Sequence, residues 1–176
     1  MSLSSSSLER TLVLVRHAKA EQVPGKADHD RSLTSRGHHD AEAAGRWLHE
    51  QGVVPELVIC STSQRTRETW SAIAHGGCHT EYVEYRRAAY EGGTRGLLRT
   101  IREDAGEVGT LVVVGHAPTV PELASLLTDG SGSVDAHRAL AEGYPTCGVS
   151  LLRVEGEWVD LDVGIATLER FHVARA

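Results

Sequence analysis

Three short runs of apolar, largely β-branched residues set the limits on what this chain can fold into. They are residues 11–15 (TLVLV), 57–60 (LVIC) and 111–114 (LVVV). Each is continuous rather than alternating, which is the pattern of a strand buried on both faces. Between and after them the apolar period changes from strand to helix. Ala41, Ala44, Gly45 and Leu48 share one helix face, and Thr66, Thr69, Trp70 and Ile73 a second. Leu97, Leu98 and Ile101 form a third face, and Val120, Leu123, Ala124 and Leu127 a fourth. Tyr82 and Val83 suggest a further short strand. Near the C-terminus, residues 148–154 and 158–163 read as two strands joined by a tight Glu155-Gly156-Glu157 turn. Residues 25–31 and 128–133 read as polar loops.

Strands alternating with helices predict a single-domain three-layer α/β/α sandwich. Its central sheet is mostly parallel, with antiparallel strands near the C-terminus. The 176 residues are enough for one domain with a full core. The Ser-rich start, residues 1–9, is predicted to be a disordered tail before a domain spanning 10–176. It has no basic or apolar segment of a signal peptide, and no apolar run reaches the roughly 20 residues of a membrane span. Cys60, Cys78 and Cys147 are far apart and odd in number, which suits a reducing, cytoplasmic compartment. The formal net charge of −6 argues against nucleic-acid binding, which needs a basic footprint. An anion must therefore be held by a local cluster of cations, so the position of each arginine matters more than the total.

In open α/β sheets, ligands bind beyond the carboxyl ends of the strands. After TLVLV come Arg16 and His17. After LVIC come Ser61-Thr62-Ser63-Gln64-Arg65, and after LVVV come Gly115 and His116. Three strand ends thus aim two arginines and two histidines at one crevice. The planar guanidinium matches phosphate oxygens two at a time. Histidine can act as a nucleophile near neutral pH without a metal, and positive neighbours would keep it unprotonated. Arginines would also stabilise the oxygens that carry charge in the transition state. Ser61-x-x-Gln64 and Thr119-x-x-Glu122 read as capping boxes opening two helices near this crevice, where helix N-termini favour phosphate. A departing alcohol needs a proton. Glu91, just before the third helix, is the first candidate donor; Glu84, Asp28 and Asp30 are alternatives, and a reaction without a strong acid is a further option.

These residues carry a family resemblance. Val15-Arg16-His17-Ala18-Lys19 resembles the RHG or RHA motif of the histidine phosphatase superfamily. Ser61-x-x-x-Arg65-x-x-x-Thr69 resembles its second-arginine motif, and Val114-Gly115-His116-Ala117-Pro118 its GHxP motif. Arg31-Ser32-Leu33-Thr34-x-x-Gly37 resembles its RPLTxxG segment. The motifs follow in order from about residue 11 to 154, and the RHAK variant with a short segment around Tyr90 is most similar to the SixA branch. The resemblance implies a phosphoglycerate mutase-like fold and a phosphatase that needs no metal or cofactor. His17 would be phosphorylated and then hydrolysed, with Arg16, Arg65 and His116 binding the phosphate. The substrate would be a phosphorylated small molecule or a phosphohistidine-bearing protein. The rival reading is a phosphoryl carrier, or a signalling protein that binds a phospho-ligand in the same pocket. Ala18 and Lys19 depart from the Gly and Glu common after the nucleophile, away from mutases, and Ser32 replaces a common Pro.

The remaining histidines (His29, His38, His39, His49, His75, His79, His137 and His172) read as surface or core residues; His38 and His39 lack metal-ligand spacing. Arg31 either touches the phosphate or braces its loop. Trp47 and Trp70 read as packing helices onto the sheet.

Overall fold

In the computed structural model, which describes residues 8–176, the three apolar runs become the middle of one seven-stranded sheet. β1 (Glu9–Arg16), β2 (Leu57–Ser61), β3 (Val83–Arg86) and β4 (Thr110–Gly115) are mutually parallel, in the order β3-β2-β4-β1. The sheet continues past β1 through β6 (Gly148–Glu155) and β7 (Ala166–Val173) to the edge strand β5 (Thr128–Gly132). β6 is antiparallel to both β1 and β7, whereas β5 is parallel to β7. Six of the described strands therefore run one way and β6 alone runs back. The expected α/β/α sandwich with a mostly parallel sheet is what forms.

Alternate residues of the central strands feed two cores. Leu12, Leu14, Ile59 and Val113 face α3 (Ala88–Glu91), α4 (Gly93–Asp104), α5 (Thr119–Leu127) and α6 (Val134–Glu142). Val13, Val15, Val58 and Val112 face α1 (Ser35–Glu50) and α2 (Gln64–His75). Burying a Leu, Ile or Val side chain contributes about 1.5–3 kcal/mol, so the central strands are pinned from both sides. Their carboxyl ends are thereby fixed to one another in register: Arg16 lies opposite Gly115. Gly45 lets α1 and α2 touch, since a Cβ there would stand 2.0 Å from the Ile73 carbonyl oxygen.

Three expectations are corrected. Residues 158–163 are not a strand: Trp158–Asp160 is a 3-10 turn, and the last strand starts eight residues later, at Ala166. Trp158 and Leu161, three apart, are both fully buried, which is the period of a 3-10 turn rather than a strand. The terminal strands do pair antiparallel beside β1, as expected, but the tight Glu155-Gly156-Glu157 turn does not join them: β6 ends at Glu155 and β7 begins only at Ala166. Residues 128–132 are an edge strand, hidden from the sequence because its TDGSG side chains are mostly exposed and lack apolar alternation. The tail reading falls on residues 1–7, outside the described residues, and β1 already includes Glu9. No helix among the described residues is long and apolar enough to cross a membrane. Cys60, Cys78 and Cys147 are buried and unpaired.

Candidate active site

The carboxyl end of β1 delivers Arg16 and His17. The His17 amide donates to the Gly115 carbonyl at 2.9 Å, prolonging the strand pairing past its last residue. The next two residues are gripped by distant motifs. The Ala18 amide donates to Thr69 Oγ1 at 3.0 Å, and that hydroxyl donates to the Arg65 carbonyl at 2.7 Å. The Lys19 carbonyl accepts from the Thr34 amide at 2.9 Å. Thr34 also caps α1, accepting from the Gly37 amide at 3.0 Å. A Cβ on Gly37 would stand 2.2 Å from the Lys19 carbonyl oxygen, so the Leu33-Thr34-x-x-Gly37 segment lets α1 begin against the backbone beyond His17.

The His17 ring is oriented by its own neighbour. Nδ1 lies 2.8 Å from the Ala18 carbonyl, which only accepts, so Nδ1 carries the hydrogen and Nε2 the lone pair. Arg65 Nε donates to that Nε2 at 3.4 Å. Arg65 occupies the first turn of α2, as expected, but the cap differs from the expected box. Ser61 is the last residue of β2, and Ser63 is the N-cap. The Ser61 hydroxyl is instead 2.7 Å from His116 Nε2. The second expected box is also absent: Pro118 caps α5, and the Glu122 carboxylate accepts from Thr94 Oγ1 at 2.7 Å.

His116 Nδ1 is 3.3 Å from Arg65 Nη2, which only donates, so in this arrangement His116 Nε2 carries the hydrogen toward Ser61. The two imidazoles are 5.3 Å apart. Arg16 is anchored by Nη1 donating to the Tyr144 carbonyl at 2.7 Å, while its Nε is buried with no hydrogen-bond partner among the described residues. The four residues anticipated at the strand ends thus line one cleft.

Both histidines are held neutral. Burial pushes His17 down to about 4, and the positive charges of Arg65, Arg16 and Arg31 act in the same direction, against the hydrogen bond to Ala18. Burial, then His17 and Arg65, push His116 to about 3. The sequence pointed to charge as the cause, but burial is the larger one. Burial has no signal in the sequence because it depends on Arg65 of α2 and on His116 packing beside the ring.

The site opens into a cleft of about 930 Å³ whose walls include Lys19, Arg31, Arg36 and Arg175 as well as Arg16 and Arg65. Against these six cations stand three carboxylates, those of Asp28, Asp40 and Glu91. A chain of net charge −6 therefore presents a locally cationic cleft. The candidate acids separate clearly. Glu91 is on the cleft wall with its carboxylate paired to Arg87 at 2.8 Å. Glu84 is on β3, paired with Arg86, away from the cleft lining. Asp30 is exposed beside His29 and also away from that lining. Asp28 is on the cleft lining, about half exposed, and is held well below the usual carboxylate range by hydrogen bonds from Tyr90, Arg31 and Arg65. Arg31 braces the loop, donating to the Glu21 carbonyl at 2.7 Å and to Asp28 Oδ1 at 3.0 Å. The pairing of Ser61 with His116, of Tyr90 with Asp28 and of Asp28 with Arg65 has no signal in the sequence. Each depends on spatial neighbours that no local spacing marks. Among the described residues, no group of three or more His, Cys, Asp or Glu is placed to hold a metal ion.

The sequence signature of the histidine phosphatase superfamily (branch 1) matches residues 12–87. An uncharacterised protein of Mycobacterium tuberculosis is 40% identical over 163 residues, covering 92% of this chain and all of the relative. A solved structure from Nakamurella multipartitia, named as a candidate phosphohistidine phosphatase SixA, is 34% identical with a TM-score of 0.83. That match covers 96% of this chain and 98% of the other. This chain belongs to the histidine phosphatase superfamily. Within the superfamily it is SixA-like. A second candidate SixA, from Agrobacterium tumefaciens, is 28% identical with a TM-score of 0.74 over 93% of this chain and 97% of that one. The family and these relatives mark the chain as a phosphatase in the general sense.

Proposed function

We propose that this phosphatase hydrolyses a phosphomonoester or a protein-borne phosphohistidine through a covalent intermediate on His17. The observation that carries the proposal is the His17 ring. Its Nδ1 hydrogen is committed to the Ala18 carbonyl, so the Nε2 lone pair faces Arg65 in a cationic cleft. His17 Nε2 attacks phosphorus, and the bond from phosphorus to the leaving oxygen or nitrogen breaks. The leaving group takes that bond's electron pair and a proton. Water then attacks the phosphorus, releasing inorganic phosphate and restoring His17. Arg16 and Arg65 hold the phosphoryl oxygens as charge builds on them. His116 assists by taking on Nδ1 the proton that a phosphate monoanion brings with it, a transfer that the negative charge left on the phosphate favours. Its Nε2–H keeps donating to Ser61 Oγ while the Nδ1–H donates to the phosphoryl group.

Glu91 is our candidate for the leaving-group proton. Its pairing with Arg87 fits a weak role, one that suffices for a good leaving group such as an imidazole. The candidate SixA relatives at 34% and 28% identity favour a phosphohistidine substrate. A metal plays no part in this scheme, because two arginines supply the charge. We expect release of phosphate from an aryl phosphate that is blocked by vanadate and insensitive to chelators. A panel that includes phosphohistidine, with His17→Ala as the blank, ranks the substrates. Wild-type turnover in His17→Ala sinks the mechanism. The carrier reading draws on the same weak acid: with no carboxyl free of an arginine partner at the centre, the phosphoryl group would persist on His17 without release of phosphate.

A further inference from the structure

Asp28 touches Arg65 on the side away from the histidines. A guanidinium offers two different two-donor edges. The edge formed by Nε and Nη2 faces the centre of the site: Nε points to His17 Nε2 at 3.4 Å and Nη2 to His116 Nδ1 at 3.3 Å. The edge formed by Nη1 and Nη2 is occupied by one residue. Nη1 donates to the Asp28 carbonyl at 2.7 Å, and Nη2 donates to Asp28 Oδ2 at 3.0 Å. Asp28 is itself fixed. Tyr90 Oη donates to Oδ2 at 2.8 Å, and Arg31 Nη1 donates to Oδ1 at 3.0 Å. Tyr90 packs edge-on against both His29 and His116.

We propose that Asp28 is a positioning residue that grips Arg65 from behind, so that its Nε–Nη2 edge is presented to the phosphoryl group. Tyr90 and Arg31 hold Asp28 in place. This assignment rests on the phosphate-binding role proposed above for Arg65. Three donors converge on the Asp28 carboxylate, so it stays ionised and is not the proton donor. An unanchored arginine keeps its rotamer freedom, which must be lost again each time phosphate binds. The Arg65 side chain is only 7% exposed, so its buried charge also depends on Asp28 as a counter-ion. The grip spans the first loop, α2 and, through Tyr90, α3. It therefore couples three segments to the orientation of one guanidinium.

The test is a double-mutant cycle over Asp28→Ala and Arg65→Ala, read by kcat/KM on an aryl phosphate and by the affinity for vanadate. Positioning predicts that Asp28→Ala lowers kcat/KM and vanadate affinity together, by about 10- to 100-fold. In the Arg65→Ala background the same change should cost no more than about twofold. Asp28→Asn, which keeps one acceptor for Nη2, should fall between wild type and Asp28→Ala, and serves if the alanine variant does not fold. An equal loss with and without Arg65 overturns the proposal and makes Asp28 a brace of the loop alone. Unchanged kcat/KM and vanadate affinity in Asp28→Ala overturn it too. If the wild type binds vanadate but turns over no phosphate ester or phosphohistidine, the phosphatase reading fails, while the vanadate cycle still decides the role of Asp28.

Discussion

At the residue scale, the site is built from hydrogen-bond commitments rather than from charge alone. His17 has one nitrogen to spare because Ala18 claims the other, and His116 is paired through Ser61. Nitrogen-15 NMR of the imidazoles should find His17 neutral at pH 6, with the hydrogen on Nδ1, and protonating only as the pH approaches about 4. A His17 ring that is cationic at pH 6 would contradict this account. His17, Arg16 and His116 were legible in the sequence because each ends, or directly follows, a continuous apolar run. Arg65 was legible through its spacing from Ser61, although Ser61 proved to be a partner of His116 and not a cap. The sequence offers Asp28 only as an acid, because its contact with the guanidinium of Arg65, 37 positions away, exists only once the chain is folded.

At the element scale, β1, the start of α1 and the middle of α2 form one device that fixes the two residues beyond His17. Thr69 holds Ala18, and Thr34 with Gly37 holds Lys19. Gly37→Ala weighs this device against helix propensity. Propensity alone would favour alanine in a helix by about 1 kcal/mol. The contact at 2.2 Å with the Lys19 carbonyl opposes it, and overpacking of this kind costs about 1–3 kcal/mol. We expect a net loss of stability in denaturant titration, with kcat lowered because the displaced backbone carries His17. Stabilisation without loss of activity would show that the α1–β1 contact is slack. The elements the sequence missed share a cause. β5 is a polar edge strand, and the 3-10 turn at Trp158 buries two large residues at a spacing that sequence patterning confuses with a strand.

At the scale of the whole molecule, the two neutral histidines tie stability to pH. Both have folded-state values below the ordinary 6.5, so the unfolded chain binds more protons between that value and about 4. Their contribution to stability is complete above pH 6.5 and is lost as the pH falls toward 4 for His17 and toward 3 for His116. Urea unfolding of His17→Gln should therefore show a shallower loss of stability from pH 7 to pH 4.5 than wild type. Parallel pH dependences would mean that the ring is not held neutral by the fold. The acidic chain also concentrates its cations in one cleft, so oxyanion binding should weaken as salt is raised.

The central claim is that His17 carries the phosphoryl group during turnover. The most direct measurement is rapid quenching of the reaction with an aryl phosphate, followed by mass spectrometry of peptides kept at alkaline pH to preserve phosphohistidine. The account predicts a transient phosphoryl group on the peptide containing His17, formed and lost at the rate of turnover and absent in His17→Ala. Turnover with no phosphoryl group on His17, or with one on another residue at the catalytic rate, would contradict it.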